Sequence, residues 1–267
     1  MNAGFKRGVQ HAFDLMGFEL RRKNESPKPA LARPTFAGAL EQLSRLGFRP
    51  RTIIDVGVAF ETRELYEAFQ EADLLLIEPL AEFEPFLRKI CSRYRAQYVL
   101  AAAAEAAGTA ILNVHTDQLD SSSLLAEAEG VSVDGIPRQV QVVAIDDLCL
   151  EKGLTGPYLI KADVQGAELK VLAGASRTLP ETEVVILEVN LFGTMFGGPQ
   201  LFDVVAYMKE RGFVVYDMWG SLYRPLDGAL AQVDMAFVRA DGRFRQSQGF
   251  ATTEQRKKMK WAFPVRT

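Results

Sequence analysis

Residues 52–79 read TIIDVGVAFETRELYEAFQEADLLLIEP. Two short apolar runs, 52–56 and 74–77, flank a stretch with helical spacing that ends near residue 70. This is the pattern of a strand, a crossover helix and a second strand parallel to the first. An open parallel sheet holds its ligand beyond the carboxyl ends of its central strands, so the ends of these two runs are the first places to look for function. The first run leads into Asp55-Val56-Gly57, where glycine lets the backbone turn sharply and approach a ligand. The second ends on Glu78-Pro79. A carboxylate at Glu78 can accept hydrogen bonds from both hydroxyls of a ribose; its other use is to cap the next helix, with Pro79 in the first turn. A nicotinamide-binding turn needs G-x-G-x-x-G, and the single glycine here disfavours a dinucleotide.

The same alternation extends outward. Upstream, 36–46 has a 3.6-residue period, with Phe36, Leu40, Leu43 and Leu46 on one face, and Gly47 stops it. Downstream, a helical stretch follows to about Tyr94, and strands are predicted at 97–100, 110–114, 139–144 and 158–162. The order then becomes strand 184–189, helix 201–211, strand 213–218, a turn at Asp227-Gly228 and strand 232–239. Alternating strands and helices predict an α/β fold with a parallel sheet. The closely spaced last two strands are free to pair antiparallel.

The chain has 267 residues, 48% of them hydrophobic, with 31 basic and 34 acidic side chains. That length suits one large α/β domain, and a net charge of −3 provides no field for holding nucleic acid. Two cysteines and two histidines do not suffice for a disulfide framework or a usual zinc site, so no metal and a cytoplasmic setting are expected. No apolar run is long enough to span a membrane. Three regions are predicted: an amphipathic helix and linker at 1–35, a main domain at 36–240 and a basic, aromatic tail at 241–267. In the first, Phe5, Val9, Phe13, Met16 and Leu20 recur at helical spacing among Lys6, Arg7, Arg21, Arg22 and Lys23. Three partners are open to that helix: the main domain, a second subunit, or, peripherally, an anionic lipid surface.

Residues 158–175, YLIKADVQGAELKVLAGA, make the assignment more specific. They resemble the I-K-I-D-V-E-G-A-E-x-x-V-L-x-G-A signature of the FkbM-type methyltransferases, a branch of the class I enzymes that use S-adenosylmethionine (SAM). The segments IIDVG, LLIEP, Ser121 to Leu125, VQVVAIDDL at 140–148 and VVILEVN at 184–190 are similar to that family in the same order. The resemblance implies a class I (Rossmann-like) seven-stranded, mostly parallel sheet with an antiparallel C-terminal hairpin. It also implies a SAM site: Asp55 and Gly57 beneath the methionine part, Glu78 on the ribose, and the Ala102 to Glu105 segment beside adenine, with Ala104 and Glu105 as the candidates. Asp163, ending the fourth strand, would face both donor and acceptor.

Methyl transfer to a hydroxyl needs in-line alignment and a proton acceptor within reach. Asp163 is the first choice for that role, ahead of Glu188 and His115, and Lys161 shares the face of Asp163 and can pair with it. Glu168 suits a first-turn acid facing its helix dipole. The serines at 121–123 either bind ligand or turn the chain, and the glycines at 193–199 suit a mobile lid or a loose connection. The family turn D-V-G-A-N-x-G is altered here: Ala59 replaces asparagine and Glu61 replaces the second glycine. Glu61 would oppose the donor's carboxylate, face outward, or grip the donor's ammonium, with Arg63 free to take the carboxylate. Gln165 replaces the signature's glutamate. The expected function is O-methylation of a sugar, glycan or secondary metabolite hydroxyl. A non-catalytic SAM-fold binding or scaffold protein is the alternative. Nucleic-acid amino methylation is disfavoured because the fourth strand ends in ADVQ, without a proline-aromatic clamp for a flipped base.

Overall fold

The computed structural model describes residue 33, residues 35–130 and residues 132–258. The predicted helix at 1–23 and the part of the tail beyond 258 lie outside these residues. The main sheet has seven strands in the order β3-β2-β1-β7-β8-β10-β9. In chain order its members are β1 (Thr52–Val56), β2 (Asp73–Glu78), β3 (Ala96–Leu100), β7 (Tyr158–Ala162), β8 (Thr182–Asn190), β9 (Phe213–Tyr223) and β10 (Leu230–Arg239). The first five run parallel, and β10 is antiparallel to both β8 and β9. The turn closing the last hairpin is the expected one: Gly228 has φ +72°, and the Asp227 carboxylate accepts from Ala229 N–H and from the Arg224 guanidinium.

The central strands read as continuous apolar runs because both their faces are covered. One face presents Ile54, Val56, Ile160, Ala162, Val185 and Leu187 to the helices Ile145–Glu151, Glu168–Ala173 and Leu201–Glu210. The other presents Ile53, Leu74, Leu76, Leu159 and Ile186 to the helices Phe36–Arg45, Arg63–Ala68 and Glu84–Cys91. Thr35 caps the helix Phe36–Arg45 by accepting from Gly38 N–H, and Ala39, Leu40 and Leu43 form its buried face. Leu46, expected on that face, follows the last helical turn and is largely exposed.

Two of the predicted strands belong elsewhere. A separate sheet of order β4-β6-β5 contains β4 (Ala102–Ala103), β5 (Gly108–Val114) and β6 (Ile136–Val143). The runs at 110–114 and 139–144 therefore pair antiparallel with each other. Their outward residues are exposed, as in Ile111 and Ile136, which is foreign to a doubly covered parallel strand. The second sheet is seated by contact with the signature helix: a Cβ on Gly174 would lie 2.0 Å from the Ala104 carbonyl oxygen, so only glycine fits there.

Candidate active site

A cavity of about 620 Å³ opens beyond the carboxyl ends of β1, β2, β7 and β8 and the amino end of the antiparallel β10. Its floor follows from strand register. Asp55 stands beside Lys161, and Glu188 beside Asp234. Side chains two residues apart share a face, so Asp163 follows Lys161, and Glu188 follows Ile186, on the side that carries Asp55. Sheet geometry alone thus gathers acids from β1, β7, β8 and β10 around one lysine.

Asp55 is fully buried and lies beneath the cavity wall. Its Oδ2 accepts from the Tyr66 hydroxyl at 2.5 Å, while Oδ1 has no hydrogen bond and faces Lys161 Nζ at 3.4 Å. The same Nζ lies 3.6 Å from Asp163 Oδ2, the pairing expected from the strand alternation. Burial alone would lower the Lys161 pKa. The surrounding Asp55, Asp163, Glu188 and Asp234 carboxylates overcome it and hold the ammonium above its ordinary value.

Gly57 has φ +75°, and a Cβ there would sit 1.8 Å from the Asp163 carbonyl oxygen; the turn and the end of β7 touch. The next residues wrap onto Glu78. Ala59 N–H donates to Glu78 Oε2 and Leu80 N–H to Oε1, both at 3.0 Å. Burial pushes the Glu78 carboxyl upward, and those two N–H groups pull against it. Ala59 adopts φ +48° to aim its N–H. That conformation costs an L-residue about 1–2 kcal/mol and suits asparagine better, which accounts for the asparagine of the resembled turn. Glu61 lines the cavity but pairs with Arg93, while Arg63 is taken by Glu67 at 2.7 Å.

Gln165, the other departure, joins the acids. Its Nε2 donates to Glu188 Oε2 at 2.8 Å and to Asp163 Oδ1 at 3.2 Å. It is held with φ +54° and its backbone oxygen accepts from Ser123 Oγ at 2.7 Å. Burial, then repulsion from Asp163 and Glu168, pushes the Glu188 carboxyl far above its ordinary range. Burial with repulsion from Asp163 raises Asp234 to about 6. Glu168 is buried and accepts from Val164 and Gly166 N–H, both at 3.1 Å, so it closes its own loop, as a structural acid does.

Other expected residues stand apart. Glu105 is exposed and outside the cavity wall, and Ala104 is buried in the core beneath the second sheet. His115 lines a different hollow and lies 3.8 Å from Glu127. Ser121 and Ser122 do line the cavity, together with Asp120. The segment 193–199 contributes nothing to the wall; backbone bonds Ala128 N–H to Thr194 O and Phe196 N–H to Ala126 O tether it. Trp219, Leu222, Gln232 and Asp234 of the C-terminal hairpin were not anticipated as lining residues. Asp234, a carboxylate inside the apolar run of β10, was the visible signal for them.

These features fit SAM. The volume lies in the usual ligand range of roughly 300–1,000 Å³, the turn from Gly57 to Thr62 lines the wall, and Glu78 presents a carboxylate there. Glu78→Ala is expected to weaken SAM binding by about 1–3 kcal/mol, read by calorimetric titration, because it removes a hydrogen-bonding carboxylate from the cavity wall and the anchor of the Ala59 and Leu80 N–H groups.

Strand order and cavity place the protein among class I SAM-dependent methyltransferase folds. The methyltransferase FkbM domain matches residues 55–215, more than half of the chain, and the protein belongs to that family, whose methyl donor is SAM. Among curated proteins it is similar to the 2-O-methyltransferase NoeI of Sinorhizobium fredii, 44% identical over 66 residues. That match covers 25% of this chain and 27% of NoeI, so the chain spans about a quarter of the relative's length. Solved structures to which it is similar include a magnesium protoporphyrin IX methyltransferase from Synechocystis PCC 6803 with bound SAM. It is 9% identical, with a TM-score of 0.42, over 88% of this chain and 81% of that one. An rRNA methylase from Streptococcus thermophilus is 7% identical, with a TM-score of 0.44, over 78% and 98%.

Proposed function

We propose that the protein transfers the methyl group of SAM to a hydroxyl of a sugar, glycan or secondary metabolite. The observation that carries this reading is the grouping of Asp163, Glu188 and Asp234 around Lys161 in the wall of the same cavity that Glu78 and the Gly57 turn line. Bound SAM supplies an electrophilic methyl on a cationic sulfur. Glu78 holds the ribose, the 57–61 turn holds the amino-acid part, and Asp163, 35% exposed beside Lys161, orients the acceptor hydroxyl and receives its proton. Seven acids and one lysine line the cavity among the described residues, which opposes a phosphate-bearing acceptor and favours a neutral one. The short similarity to a 2-O-methyltransferase points the same way.

Incubation with methyl-labelled SAM and a panel of neutral glycosides, glycans and hydroxylated metabolites tests the proposal through label in the product. Asp163→Asn is expected to reduce turnover about 10²- to 10⁴-fold while leaving SAM affinity within a few-fold. The reverse pattern would make Asp163 a cofactor ligand. Failure to bind either SAM or S-adenosylhomocysteine (SAH) at millimolar concentration would leave the non-catalytic scaffold reading in its place.

A further inference from the structure

We infer that the Glu188–Asp234 carboxyl pair, tied to Asp163 through the Gln165 amide, is a proton store linked to the donor's charge: it gives up a proton when a sulfonium enters the cavity and holds the acceptor's proton once that charge is gone. The inference rests on the SAM reading above and concerns what these side chains do toward that ligand.

The geometry is that of carboxyls outnumbering cations. Glu188 on β8 and Asp234 on β10 face each other directly across an antiparallel pair. Gln165 Nε2 touches both Glu188 and Asp163, so the third acid is held close as well. Asp55 on β1 approaches from below and Glu168 from the following helix, and the ammonium facing the set belongs to Lys161, shared between Asp55 and Asp163. On the far side of Asp234 stands Trp219, whose buried indole N–H lies near that carboxylate and pulls against its upward displacement. Gly220 leaves room for the carboxylate; a Cβ there would lie 2.5 Å from Asp234 Oδ2. Several acids around one cation in a poorly solvated site cannot all stay ionised, and the upward displacement of both Glu188 and Asp234 agrees with this.

A cation added to such a set lowers the proton affinity of every carboxyl near it, and its removal restores it. In methyl transfer to a hydroxyl the O–C bond forms, the C–S bond breaks with its electron pair passing to sulfur, and the O–H proton must leave. If that proton, first received by Asp163, passes on to Glu188 or Asp234, one positive charge and one negative charge vanish together. The net charge of the cavity is then unchanged by the step, which spares reorganisation in a low-dielectric site. The replacement of the signature's glutamate by Gln165 supports the role, because an amide bridges two acids without adding a third charge between them.

Isothermal titration of the full chain with SAM and with SAH, in buffers of different ionisation enthalpy at pH 7.5, counts the protons exchanged. In the wild type SAM is expected to release more protons than SAH, and the SAM-to-SAH affinity ratio should rise about tenfold between pH 6 and pH 9, one pKa unit of linkage. Glu188→Gln should flatten both, and Asp234→Asn should diminish them; each ligand's own amino group enters wild type and variants alike and cancels in the comparison. SAH titrations of the variants report whether the site is still folded. Equal proton counts for SAM and SAH in the wild type, or a difference that survives both substitutions, would overturn the inference. Absence of binding by either ligand would overturn the SAM site itself, and the proton store with it.

Discussion

Gly57→Ala is expected to destabilise the protein by about 4 kcal/mol or more and to abolish SAM binding, a loss in the range reserved for a few identifiable mechanisms. Two of them act at once. A φ of +75° is unfavourable for any residue with a Cβ, and the added carbon would overlap the Asp163 carbonyl oxygen at 1.8 Å. That oxygen is backbone, so no rotamer change relieves the clash. Either β1 and β7 separate at their carboxyl ends or the turn changes course, and both displace Asp163 and the Ala59 N–H that holds Glu78. Urea unfolding and calorimetric titration with SAM measure the two losses. Gly108→Ala is the control: it carries no positive φ and nothing lies within 4 Å of its Cβ position, so a change within about 0.5 kcal/mol is expected.

Lys161→Ala is expected to cost about 3–5 kcal/mol at pH 8, because it leaves buried carboxylates without their cation. Asp55 would keep only the Tyr66 hydroxyl. The wild-type contribution of Lys161 is present across the neutral range: its folded pKa lies above the ordinary lysine value, so its stabilisation is complete below the unfolded pKa and fades only as pH rises through the folded one. The variant's deficit has its own pH dependence. Glu188 and Asp234 titrate above their unfolded values, so the folded state binds more protons than the unfolded state, and stability falls as pH rises through that window. Loss of Lys161 moves these groups further up. The deficit should therefore shrink as pH is lowered from 8 towards 5.5, visible as converging urea midpoints for variant and wild type. Lys161→Met with Asp55→Asn should recover part of the loss, since the double variant removes the unpaired charge along with its partner.

The strands that carry the site were legible because each is short, apolar and ended by a residue with an evident reason to be there. β1 ends into Gly57, β2 ends on Glu78, and β7 runs into Asp163. The second sheet was not legible. The runs at 110–114 and 139–144 satisfy strand periodicity as well as the central strands do, and periodicity records which residues are apolar, not which strand lies alongside. The segment expected beside adenine divides for a related reason: Ala102 and Ala103 line the cavity, whereas Ala104 is pressed under Gly174 and Glu105 is exposed outside the wall.

The departures from the family pattern show the same division. That Ala59, Glu61 and Gln165 differ is evident from the letters; what each does depended on neighbours distant in the chain. Glu61 meets Arg93, Arg63 meets Glu67, and Gln165 spans from Asp163 to Glu188. By itself the sequence determined the α/β order, the antiparallel ending and the residues at the tips of β1, β2 and β7, because local spacing and turn chemistry dictate these. Only the tertiary structure decided that Asp234 and Trp219 join the cavity and that one lysine serves several acids. Register across strands sets those contacts, and the side chains involved are separated by up to 179 residues in the chain, from Asp55 to Asp234.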